Sequence, residues 1–464
     1  MITKEELTVV GAERLAEIII SLYQNNQYIQ KQLDIIFAGL EDNPKKLISV
    51  LKKEIASLKR STRFIDYYES DSFAENLDHL RLSICEDLMF KSASDAATVM
   101  LGFLDLHDDI LNRVDDSNGE VGGVFREACE NLGQIYAQLA KPTEEIVDLV
   151  FNCFIKNNHY AIYDDIIFNF KESLQSKGLL LLKERIEQIL NAKNNIRVTL
   201  GLRQIADCQS DANAYIEACK FRGQLSAHDH MEIAKRLIKA WRSTEALEWL
   251  DKADIELSHP RYNDLTKLRI EALELEGNYD QVQQERIEWF NRSLSFKVYG
   301  QILSHCKSEF KDSFKQEAIK KAFNYKDPHT ALEFLIQAQE FDEAIKFTKL
   351  RLDQLNGGQY YLLRPTADIF SKMDPLTATL LYRKILEPVV EAVKSKYYNY
   401  AAKDLVSCTC LNSEITNWEN YENHDSYLEE FKVKHKRKIS FWREYDIALQ
   451  KNAQKEAKNA KVKE

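Results

Sequence analysis

Asp327-Pro328-His329-Thr330-Ala331 and Asp374-Pro375-Leu376-Thr377-Ala378 agree at four positions of five and start 47 residues apart. Each opens on a residue that caps a helix, follows it with the residue best tolerated in a first helical turn, and then supplies a small side chain where two helices can approach. A second pair runs through the same region: Ala246-Leu247-Glu248-Trp249-Leu250 is echoed by Ala331-Leu332-Glu333-Phe334-Leu335. A third, Glu276-Gly277-Asn278-Tyr279-Asp280 against Gln339-Glu340-Phe341-Asp342-Glu343-Ala344, gives a polar turn, an aromatic and an acid before the next helix. Such turns punctuate tetratricopeptide-type helical hairpins, and the units here run irregularly at about 36 to 49 residues. The pattern predicts an all-α chain with an irregular tetratricopeptide-like α-solenoid over 228–435. Such an array buries its core between neighbouring hairpins and leaves a long face for a partner.

Outward from that region the same grammar continues. Leu47, Val50, Leu51, Ile55 and Leu58 form a stripe at helical spacing, opened by Asn43-Pro44, and Leu77, Leu80, Ile84 and Leu88 form another. Breaks at 63–72, 115–123, 140–142, 156–159, 209–212, 222–229, 259–263, 356–358 and 420–426 separate helices of about 10 to 20 residues. The division expected is a helical N-terminal region over 1–140, middle hairpins over 141–227, the repeat array over 228–435, and a basic helix or tail over 436–464. Short extended pieces near Arg63–Tyr68 stay open.

Composition supports helices and removes the main rivals. The 464 residues hold only 14 Gly and 7 Pro, less than half of the roughly 7% and 5% that are usual. An all-β chain needs turn residues every ten positions or so, and a doubly wound nucleotide-binding fold needs glycines at its phosphate turns. No apolar run approaches the ~18 residues of a membrane span, and MITKEELTVV lacks the basic region and apolar stretch expected of a secretory leader. Eight cysteines without a C-x-x-C fit a reducing compartment, so a cytoplasmic location is expected.

Charge is placed unevenly. Lys432–Glu464 holds 11 Lys/Arg against 4 Asp/Glu, which leaves -17 on the first 431 residues out of a net -10. An acidic body disfavours non-specific nucleic-acid binding, because phosphate affinity follows concentrated positive charge. The cluster Lys432, Lys434, Lys436, Arg437 and Lys438 reads first as a helix end whose cations suit nearby carbonyls.

The motifs of common chemistries are missing: there is no G-x-S-x-G, P-loop, H-E-x-x-H or G-x-G-x-x-G. The strongest enzyme-like constellation is Asp105, Asp108, Asp109, Asp115, Asp116 and Glu120, with His107 and Arg113 among them. Carboxylates at such spacings can hold Mg²⁺ or Ca²⁺. The loop start from Asp115 nevertheless puts Gly119 fifth rather than sixth and Arg126 at position 12, which breaks the regular Ca²⁺ loop. The simpler reading gives Asp115 a cap or turn and Arg113 an ion pair with it. His228-Asp229-His230 lies at a helix start, where Asp229 or His228 would cap. Trp241, Trp249 and Trp289 suit hairpin packing, whereas Tyr360, Tyr361, Tyr397, Tyr398 and Tyr400 are candidates for a binding groove.

Several stretches carry a family likeness: LKRSTRFID (58–66), RVDDSNG (113–119), ADCQSDANAY (206–215), IAKRL (233–237), LLRPTA (362–367), Pro375 to Arg383, and HKRKISFW (435–442). With them the chain resembles a bacterial family of uncharacterised all-helical proteins, whose C-terminal half is similar to the helical region beside SWIM-type zinc fingers. The resemblance implies a bacterial origin and a helical-repeat fold, and no activity. SWIM fingers bind zinc through C-x-C followed by C-x-H. Here Cys408-Thr409-Cys410 is followed by His424-Asp425-Ser426, with histidine where the third cysteine belongs and serine, a poor zinc ligand, in place of the histidine. No catalytic, cofactor-binding or metal residue is therefore assigned, and no cofactor is expected. The expected function is a non-enzymatic scaffold that binds a protein or peptide partner, with no membrane contact. The alternatives are a metal-dependent enzyme on Asp105–Glu120 and a nucleic-acid accessory protein acting through the basic tail.

Overall fold

The structure, a computed structural model, describes residues 3–156, 160–189, 195–221, 223–256 and 259–462, with backbone alone at 27, 195 and 455–462. The expected breaks at 157–159 and 222 lie outside the described residues, as do 463 and 464 and the side chains of 455–462. The fold is all-α: helix follows helix, and among the described residues there is no strand. Among the described residues the one extended pairing is a parallel bridge between Ile65 and Val114. It joins two of the segments that carry the family likeness. Ile65 N–H donates to Arg113 O and Asp115 N–H to Ile65 O, both at 2.9 Å.

Two compact units make up the chain, Met1–His259 and Pro260–Glu464. Hairpins of one build stand in both. Asn195–Gln209 is followed by Ala212–Lys220, and Ala227–Lys239 by Ser243–Asp251; in the second unit Tyr262–Leu275 is followed by Tyr279–Ser293, and Pro328–Gln337 by Phe341–Arg351. In every case the residue two before the second helix is left-handed: Ser210, Trp241, Gly277 and Gln339 have φ of 54°, 60°, 70° and 59°. The next N–H then reaches back five residues: Asp211 to Ala206 O, Arg242 to Leu237 O, Asn278 to Leu273 O, and Glu340 to Leu335 O, at 2.9 to 3.0 Å. This closure satisfies carbonyls that the helix end leaves free and reverses the chain in two residues. The fourth residue of each returning helix, Tyr215, Ala246, Val282 or Ala344, is buried against its partner helix.

The caps read from the sequence are in place. Asp327 accepts from His329 N–H at 3.4 Å and Thr330 N–H at 3.0 Å, and Asp374 accepts from Thr377 N–H at 2.8 Å. Ala331 and Ala378 behind them are wholly buried. Three expectations are corrected. Trp241 is 79% exposed because it is the left-handed turn residue, not packing in a hairpin. The cap of Ala227–Lys239 is Ser226, with Asp229 returning the hydrogen bond to the Ser226 N–H at 2.9 Å. Arg113 does not pair with Asp115; it donates to the carbonyls of Arg63 at 2.9 Å and Leu58 at 3.4 Å.

Arginines also tie neighbouring helices together. Arg236 holds Asp207 through two bonds of 3.0 and 2.8 Å while lying 4.2 Å over the Tyr215 ring, and Arg203 reaches Asp229 at 2.7 Å. In the second unit the helix Pro375–Glu391 is apolar nearly all round and buried accordingly. The loop before Tyr360–Phe370 touches it so closely that a Cβ at Gly357 would stand 1.8 Å from Lys384 O.

The turns make a pair of stability predictions, read by urea denaturation. Gly277 is open on all sides, so Gly277→Ala tests conformation alone and lowers stability by about 1 kcal/mol, whereas Gln339→Gly, at the equivalent site, causes no loss. Asp327→Ala costs about 1 kcal/mol as a lost cap. Burial alone would raise the Asp327 carboxyl, but the donors of Thr330 and His329 outweigh it and hold it at about 2 against an ordinary 3.8. A depressed carboxyl stabilises the fold above its unfolded value, so this contribution is full above about pH 4 and is lost as pH falls toward 2.

Candidate functional site

Pro375–Glu391 is flanked by Tyr360–Phe370 and Tyr398–Leu411, and the two flanking helices meet through one ion pair. Arg364 donates from Nε to Asp404 Oδ1 at 2.9 Å and from Nη2 to Oδ2 at 2.7 Å, a two-pronged match of guanidinium and carboxylate. Burial pushes the Asp404 carboxyl up and Arg364 draws it back; the same bonds hold the guanidinium protonated. Four residues before each partner on its own helix stands a tyrosine, Tyr360 or Tyr400. Their rings lie 5.8 and 5.9 Å from the Arg364 guanidinium. Both are about half exposed, at 56% and 50%, and Tyr361, at 70%, packs edge-on against Tyr360. Lys403 stands 5.7 Å from Tyr400, and Tyr397, three residues before it and 46% exposed, has Lys396 at 5.9 Å.

Four of the five tyrosines named from the sequence are thus exposed, and three of them, Tyr360, Tyr361 and Tyr400, gather about Arg364. Tyr398 is not one of them: it is buried against Phe441 in the C-terminal core. Arg364 and Asp404, which organise the face, escaped sequence reasoning because they lie 40 residues apart and pair only in the fold. The remaining signal was the tyrosine four residues before each.

The acidic constellation does not converge. Asp116 caps the helix Glu120–Ala137, accepting from Val121 N–H at 2.8 Å and Gly122 N–H at 2.9 Å. Asp115 turns the chain by accepting from Ser117 N–H at 3.2 Å, and Asp105 pairs with Lys156 at 3.4 Å. His107 is buried with Nδ1 2.8 Å from Leu104 O, its Nε2 3.3 Å from Asp108 Oδ1, and its ring edge-on to Tyr163. Of the six acids only Glu120 lines an open acidic groove of about 430 Å³, with Asp71, Glu75, Asp78 and Glu127. Arg81 neutralises part of it, reaching Asp78 at 2.6 Å and Glu127 at 2.8 Å. Among the described residues no three His, Cys, Asp or Glu side chains are placed to hold a metal ion.

Cys408 and Cys410 lie on the continuous helix Tyr398–Leu411. Cys408 is buried, 3.7 Å from Thr379 O, and Cys410 accepts from Asn452 Nδ2 at 3.2 Å. His424 instead meets the Thr409 hydroxyl at 3.0 Å. Burial and nearby Arg383 push its imidazole down to about 4. In the basic cluster Lys438 donates to the carbonyls of Val390 and Glu391 at the end of Pro375–Glu391, and Lys434 pairs with the Glu391 side chain at 2.5 Å. These cations cap a helix C-terminus, where the backbone dipole favours them. No helix is long and apolar enough to cross a membrane among the described residues.

No curated protein matches the chain. Among solved structures, a circular tandem repeat protein with novel repeat topology and enhanced subunit contact surfaces is 12% identical over 95% of this chain and 96% of that one, with a TM-score of 0.19. A score that low carries no argument about the fold. The model of a family of unknown function, DUF6880, matches residues 2–196 and 187–444. The two matches together run through nearly the whole sequence, and the chain belongs to that family.

Proposed function

We propose that the chain is a non-enzymatic helical-repeat scaffold and that it holds a protein or peptide segment on the tyrosine face of Tyr360–Phe370 and Tyr398–Leu411. The observation that carries this reading is the locked Arg364 with Tyr360 and Tyr400 on either side of it. Tyrosine and arginine dominate the energetics of interfaces, and side chains already fixed by their neighbours lose little entropy when a partner arrives. Lys396 and Lys403 beside the rings favour a segment that carries Asp or Glu. The metal-enzyme reading draws no support from Asp116, engaged as a cap, and the nucleic-acid reading draws none from Lys434 and Lys438, bound to a helix end.

Affinity capture from the native host, with the wild type compared to the combined Tyr360→Ala, Tyr361→Ala and Tyr400→Ala variant, tests the proposal. A partner lost by the variant about 30-fold or more, as truncated anchors of about 2 kcal/mol require, supports it. A partner retained equally by both refutes this face. A second measurement concerns the support beneath the rings. Arg364→Met strands a buried carboxylate and lowers stability by about 3 kcal/mol or more, while adding Asp404→Leu recovers most of that loss. Tyr360→Ala, at an exposed site, changes stability by less than about 1 kcal/mol.

A further inference from the structure

The helix Lys45–Arg60 turns one side to the core and a row of cations to water. Leu47 and Leu51 are wholly buried. Lys45, Lys52 and Lys59 are exposed, and their seven-residue spacing sets them in line on the opposite side. The row runs about 21 Å along the helix. Lys53 and Arg60, also exposed, stand beside its second and third members. None of these five cations has a carboxylate partner among the described residues. Their neighbours do: Lys46 is taken up by Glu41 at 2.5 Å and Arg63 by Glu69, and Glu54 is itself paired with Lys31 at 2.7 Å. A chain of net charge -10 thus holds a stretch, 43–64, with seven Lys/Arg against the one acid Glu54.

Three aromatic side chains are exposed just beyond the end of this helix. Ile65 turns inward at its bridge with Val114, and Phe64 beside it turns outward, 62% exposed. Tyr67 and Tyr68 follow at 50% and 92%, their rings edge-on with centroids 5.8 Å apart. Arg113 pins the segment to the helix end through the carbonyls of Leu58 and Arg63. Four residues of chain keep Phe64 within about 14 Å of Arg60.

We propose that this surface binds single-stranded nucleic acid, with Lys45, Lys52, Lys53, Lys59 and Arg60 on the phosphates and Phe64, Tyr67 and Tyr68 stacked on unpaired bases. Single strands are held in this way, by cations that track the backbone and by rings on which any base can stack. Unpaired cations gain most from phosphate, because no internal ion pair has to break first. A duplex offers the same phosphates but keeps its bases stacked on one another, which leaves the rings unused. A protein partner fits less well. Lysine is depleted at the centre of protein interfaces, and between the three lysines of the row stand only Ser49 and Ala56, too small to anchor a partner. A membrane fits less well too. Helices that lie on anionic lipid combine cations and apolar side chains on one element. Here the exposed Ile18, Ile19 and Ile20 are on Ala12–Asn25, which with Lys4–Val10 carries Glu5, Glu6, Glu13 and Glu17, while the cations are on Lys45–Arg60.

Fluorescence anisotropy of a labelled oligouridylate of about 20 nucleotides, titrated with the full chain, reads the affinity. Five phosphate contacts on a single strand give a slope of about -3.5 for log K against log salt, so affinity falls about 100-fold between about 50 and 200 mM salt. The triple variant Lys45→Gln, Lys52→Gln, Lys59→Gln, at exposed positions, brings the slope to about -1.4. Phe64→Ala with Tyr68→Ala keeps the slope of the wild type and loses about tenfold or more in affinity. Helical circular dichroism is unchanged in both variants, so the two readouts separate phosphate contacts from stacking without a change of fold. Three results overturn the proposal: no binding at the lowest salt, binding that neither variant alters, or a duplex of equal length, phosphatidylserine vesicles or polyglutamate bound as tightly as the oligouridylate.

Discussion

A helix can reverse into another helix across two residues only when the first of the two adopts a left-handed backbone, and every hairpin of the repeated type depends on that reversal. The reversal lets the following N–H bond back to a carbonyl five residues earlier, as Asn278 does to Leu273 at 3.0 Å. It also fixes where the returning helix begins, and so which of its residues faces inward. Ala246, Val282 and Ala344 are buried because of where that turn sets them. For any residue but glycine the conformation costs about 1–2 kcal/mol. Ser210, Trp241 and Gln339 bear that cost, and the packing of the two helices outweighs it.

This explains which part of the fold was legible. Helix starts are written in chemistry that cannot easily be exchanged: Asp327 and Asp374 cap, Pro328 and Pro375 follow, and both pairs stand where the sequence placed them. Helix stops are not so written. Only one of the four equivalent turns uses glycine, so scarcity of that residue hid the turn at Trp241, which is built like the others, while the polar run 209–212 still marked the one at Ser210. Trp241 shows the misdirection plainly. Its size argued for the core, but the left-handed backbone at a two-residue turn places its side chain in water.

The segments that carry the family likeness prove to be joints. Arg113 grips the carbonyls of Leu58 and Arg63, Arg236 grips Asp207 over Tyr215, and Arg364 grips Asp404. Every one of these contacts spans 29 to 55 residues, so the sequence offered both partners without saying that they pair. Proximity in sequence misled in the opposite direction at Asp105–Glu120. Carboxylates that crowd a glycine-rich helix start look like a cation site, but the free N–H groups of a first turn compete for them, and Asp116 is committed to two such groups.

The two exposed faces differ in the kind of contact their chemistry sustains. Isoleucine and leucine side chains on the N-terminal helices have no polar atoms with which to bond water, so leaving them uncovered carries a standing cost. The tyrosines around Arg364 are different. Exposed hydroxyls can bond to water, and their rings rest against cations that are already in position. A surface that is stable when bare and already ordered for contact can release its partner as well as take it. The apolar helix face lies in Met1–His259 and the tyrosine face in Pro260–Glu464.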